Sequence, residues 1–86
     1  MDANFIDYDT LTLTMEKRIA LHVVMAGKKK ASGERREELF FAAAANESLF
    51  VWMHLAARMG SDCYEADKAR LIEMVKHVWP TNASTP

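Results

Sequence analysis

One cysteine, two prolines, three glycines and no glutamine occur in this chain of 86 residues. With Cys63 alone there is no internal disulfide framework, and a reducing compartment is the simplest fit. Both prolines, Pro80 and Pro86, fall in the last stretch, so nothing upstream forbids long helices. The formal net charge is only −1, which removes any global pull toward nucleic acid or an acidic membrane. No run reaches the roughly 18 consecutive apolar residues expected of a membrane span. The start, Met1-Asp2-Ala3-Asn4, lacks the basic region and apolar run of a secretory signal, so the expected location is cytoplasmic.

What is abundant is apolar surface. Half of the residues are hydrophobic, yet a chain this short makes one domain, and such a domain buries only about 60% of the surface its unfolded chain exposes. Apolar surface in excess of the core asks for a partner or a second copy.

Breaks are few. Gly27 and Gly33 bracket a lysine run, Gly60 precedes Ser61-Asp62, and Pro80 opens a polar tail over 80–86 that reads as disordered. Between them lie three helical segments, approximately 9–29, 34–59 and 62–79, preceded by an N-terminal arm over 1–8. The first is capped by Asp9 or Thr10 and carries Leu11, Met15, Ile19, Val23 and Ala26 at spacings of three and four, with His22 on the same face. Its opening, Leu11-Thr12-Leu13-Thr14-Met15, also alternates like a strand. In the second, Phe41, Ala42, Ala45, Leu49, Trp52, Met53, Ala56 and Met59 share one broad face. The third opens on Asp62 three residues before Glu65, a capping-box spacing, and carries Tyr64, Leu71, Val75 and Val78 as a narrow seam. Three helices joined by short turns predict an all-α three-helix bundle.

No residue set predicts catalysis, a cofactor or a metal site. There is no G-x-S-x-G element, and Cys63 has neither a second cysteine nor a placed base. His22, His54 and His77 fall on three different helices, without the paired ligands that a metal needs. His22, on a core face, reads as a buried or interface histidine with one hydrogen bond.

Two binding readings remain. Lys28, Lys29, Lys30, Arg35 and Arg36 make a basic corner over 28–36 that suits anions or nucleic acid, and residues 55–72 have the outline of a degenerate helix-turn-helix. Against this alternative, Asp62, Glu65 and Asp67 put carboxylates where base or phosphate contacts belong. The favoured reading is a non-enzymatic protein–protein interaction protein, a regulator, adaptor or inhibitor acting on a protein partner or as a homodimer. Phe40, Phe50 and Val51 sit beside the polar stripe of the second helix, and Arg36, Glu47, His54 and Arg58 would form the rim. The competing use of that surface is a cover folded back from residues 3–8, where Phe5, Ile6 and Tyr8 are apolar.

Overall fold

The computed structural model describes residues 6–78. Three α-helices, α1 (Tyr8–Ala31), α2 (Arg35–Ala56) and α3 (Tyr64–Lys76), follow one another, with a 3-10 turn at Ala57–Met59. The fold is the all-α helical bundle that the periodicity predicts. Residues 1–5 of the arm, Trp79 at the expected end of the third helix, and the tail 80–86 lie outside the described residues.

α1 begins earlier than Asp9 or Thr10. The cap is Asp7, whose carboxylate accepts from the Thr10 backbone N–H at 2.7 Å, a bond that holds its pKa below the ordinary carboxylate value. The alternating stretch from Leu11 to Met15 is fully helical, because burying Leu11, Thr12 and Met15 on one side outweighs a weak local strand preference. α1 ends in a Schellman motif: Glu34 N–H donates to the Lys29 carbonyl and Gly33 N–H to the Lys30 carbonyl. Gly33 sits at φ 78°, a conformation that costs a side-chain-bearing residue but not glycine.

α2 runs antiparallel to α1 and stops at Ala56, three residues short of the expected end. The chain tightens into the 3-10 turn and leaves through Gly60 at φ 70°. Asp62 caps nothing. Instead Ser61 organises the turn, its hydroxyl accepting from Cys63 N–H and its carbonyl from Tyr64 N–H, so α3 starts at Tyr64 without a side-chain cap.

α3 packs on one end of the hairpin, which we call the base. Trp52 is fully buried there, and its indole N–H donates to Thr12 Oγ1 at 2.9 Å. Tyr64 stacks on it at 5.2 Å and Tyr8 leans against it at 6.4 Å. The Tyr8 hydroxyl donates to Asp67 at 2.7 Å, and Arg70 bridges Asp67 to Glu16. Since Tyr8 meets Asp67 and Glu16 meets Arg70, α3 climbs along α1 in the same sense. Leu71 and Val75 complete the core with Leu11, Met15, Ile19, Leu49 and Ala56. The far end of the hairpin, the tip, has no third helix over it among the described residues.

Candidate interaction surface

α2 is apolar around most of its circumference, and its two neighbours cover only one side. Ala42, Ala45, Leu49, Trp52 and Ala56 face them and are buried. About half a turn away, at about 100° per residue, the opposite side is left to solvent. Phe40 is 66% exposed, Phe50 54%, Leu55 42% and Val51 39%. Glu47, Phe50, Val51, His54 and Leu55 line one shallow, open hollow of about 260 Å³. Because a single helix supplies every wall, this is a contact surface and not an enclosing pocket.

The rim residues fall where the sequence places them. Arg36 stands near the start of α2, Glu47 at its middle and His54 near its end, all exposed. Arg58 belongs to the 3-10 turn and lines a second hollow with Ile6, Asp7, Tyr8 and Met59. Arg36, Glu37, Glu47, His54 and Arg58 make no ion pair with another described residue, in contrast to the paired charges around α3. Ile6 and Tyr8 lie at the base beside Arg58, so neither covers Phe40 or Phe50; Phe5 is outside the described residues.

The basic corner and the helix-turn-helix outline are not brought together. Lys28, Lys30 and Arg36 are exposed at the tip, while Lys29 pairs with Glu34 at 3.6 Å and Arg35 with Glu38 at 3.4 Å. The start of α3 is at the base, the other end of a hairpin whose first helix is about 36 Å long by its 24 residues. Its first turn carries Glu65 and Asp67, and Asp67 is held below the usual carboxylate range, first by the Tyr8 hydroxyl and then by Arg70.

The histidines do not converge, and no three potential metal ligands cluster among the described residues. His22 stacks on Phe41 at 6.2 Å, but its buried Nδ1 meets no hydrogen-bonding group among the described residues, contrary to the single bond expected of it. Phe41, the ring it stacks on, offers no side-chain donor or acceptor. Cys63 is exposed.

Leu13, Leu21 and Val24 on α1 are outward apolar residues, between 53% and 58% exposed. The stretch 19–26 is apolar on every side except at His22, which accounts for Leu21 and Val24, while Leu13 is an addition. All three lie opposite the Leu11–Met15–Ile19 stripe on the same helical wheel. Residues Arg35–Met59 also hold an 18-residue window of mean hydropathy 1.3, of which 39% is buried. That is apolar enough by length and composition for a membrane span, although Asn46, Glu47, Ser48 and His54 interrupt any continuous apolar run. The helix of a soluble core satisfies the same criterion, and Trp52 ties this one into the bundle. No family model, curated protein or solved structure matches the chain.

Proposed function

We propose that the protein is a small non-enzymatic interaction protein of the cytoplasm, a regulator, adaptor or inhibitor that works by docking the outer face of α2 on a protein surface. The observation that supports this reading is the exposure of Phe40, Phe50 and Val51 along one side of one helix, with Glu47 and His54 among them. A large apolar side chain in water on a monomer gains roughly 1.5–3 kcal/mol when a partner buries it, and aromatic anchors dominate such contacts. Charges at the margin set orientation and discriminate between partners more than they add affinity.

The test compares the wild-type chain with Phe50→Ala. Phe50 points away from the core, so the variant keeps its helical circular dichroism and its stability within about 0.5 kcal/mol. It loses self-association, or the capture of a protein partner from native lysate, by tenfold or more. If Phe50→Ala and Phe40→Ala both leave each of these unchanged, the docking reading is wrong.

A further inference from the structure

We propose that the occupant of this face is a second copy of the chain, its α2 lying antiparallel to the first; the inference rests on the docking reading above. Along the exposed side, Glu37, Phe40, Ala44, Glu47, Val51 and His54 follow one another at alternating spacings of three and four. That is the spacing of a two-helix seam, in which side chains of one helix fit between those of the other. The seam covers about 26 Å of helix at 1.5 Å per residue.

The order of residues selects the direction. In antiparallel pairing about a two-fold axis, Phe40 meets Val51 of the second copy, Glu37 meets His54, and Ala44 meets Glu47, each contact occurring twice. Large meets branched, acid meets imidazole N–H, and the smallest residue leaves room for the glutamate stem, whose carboxylate reaches the solvent edge. Beside the seam, Phe50 comes against the small Ala43 of the other copy. Parallel pairing would instead set Glu37, Glu47 and His54 each against its own kind, a repulsive arrangement for both carboxylates. Glu37 and His54 are free for this contact, since neither pairs with another described residue and both are exposed.

Sedimentation equilibrium over a micromolar-to-millimolar series tests the arrangement with the full chain. The wild type moves from monomer to dimer as concentration rises. Glu37→Arg and His54→Glu each weaken the dimer by about tenfold, the loss expected for one disfavoured charge contact per end. An equimolar mixture of the two variants recovers wild-type association, because one end then pairs arginine with glutamate and the other keeps the native pair. A chain that stays monomeric throughout overturns the second-copy assignment; the docking reading survives that outcome if Phe50→Ala still abolishes capture of another protein. A dimer indifferent to both substitutions uses a different face, and a mixture that fails to recover means a different direction. Either result overturns the proposal.

Discussion

The base and the tip of the hairpin are built from helices of similar apolar content, yet they are packed very differently. At the base, residues of all three helices close around Trp52, which is fully buried, hydrogen-bonded through its indole N–H and stacked by Tyr64. At the tip, from Ala20 to Ala44, the only buried apolar residues are Ala26 and Ala42. Phe40 there packs edge-on against Phe41 at 5.2 Å, with two-thirds of its surface still in water. The difference is α3. Two helices alone bury one stripe each, and a third is required before a large aromatic residue can be enclosed from several sides. Local stability should therefore fall from base to tip, and amide hydrogen exchange should be slowest around Trp52.

The largest effect belongs at the base. Trp52→Ala removes the side chain on which all three helices converge and leaves Thr12 Oγ1 without its donor. The expected loss is about 3–5 kcal/mol, measured by urea unfolding. For a domain whose whole stability is about 5–15 kcal/mol, that is enough to leave a marginal or unfolded chain. A loss below about 1 kcal/mol would mean that the base is not the principal core.

Next comes the link between α1 and α3. Burial, followed by the hydrogen bond and negative charge of Asp67, pushes the Tyr8 hydroxyl up to about 12. A folded-state pKa raised above the unfolded value of about 10 gives stability that is complete below pH 10 and disappears as pH rises through about 12. Asp67 has the opposite sign: its lowered pKa contributes above the ordinary carboxylate value, and that contribution disappears as pH falls through the lowered one. Tyr8→Phe costs about 1–2 kcal/mol at neutral pH and flattens the alkaline limb of the stability profile. The acid limb persists in part, because Arg70 still holds Asp67. An unchanged alkaline limb would show that another group causes it.

The contrast between base and tip also marks what was legible in the sequence. Helix number, the core face of α2 as far as Ala56 and the outward position of Phe40, Phe50 and Val51 follow from periodicity, because a 3.6-residue repeat fixes which side chains share a side. Met59, expected on that face, is exposed because the helix has already tightened into the 3-10 turn. The short turn after α2 already puts the start of α3 at the base, but periodicity does not say which side chains seat it there. Those contacts come from Tyr8, Asp67, Arg70 and Glu16, which are distant in sequence and individually look like surface residues. Helix starts were misplaced for a related reason. Asp7, Asp9, Thr10 and Asp62 are all competent caps; the extended backbone at Asp7 lets its carboxylate reach the Thr10 N–H, and before α3 the Ser61 turn takes the place of Asp62. The outward apolar surface at Leu21 and Val24 follows from the stretch 19–26, which is apolar on every side except at His22; Leu13 does not follow, because the alternation from Leu11 to Met15 fits a strand as well as a helix.

The smallest expected effect is at the tip, and it runs the other way. His22 Nδ1 is buried without a hydrogen-bonding neighbour among the described residues, and a desolvated polar atom of this kind costs about 1–3 kcal/mol. Leucine has a similar volume and no polar atom, but it forfeits the ring stacking on Phe41, for which about 0.5 kcal/mol is a fair deduction. Since the rest of the histidine is only half-buried, His22→Leu should add about 0.5–1 kcal/mol to stability in urea unfolding. The gain should be confined to the tip, slowing amide exchange near Phe41 and Ala42 while leaving the amides around Trp52 unchanged. Destabilisation, or slowing that spreads to the base, would show that His22 helps to hold the hairpin together, and the tip would then be a stabilised element in its own right.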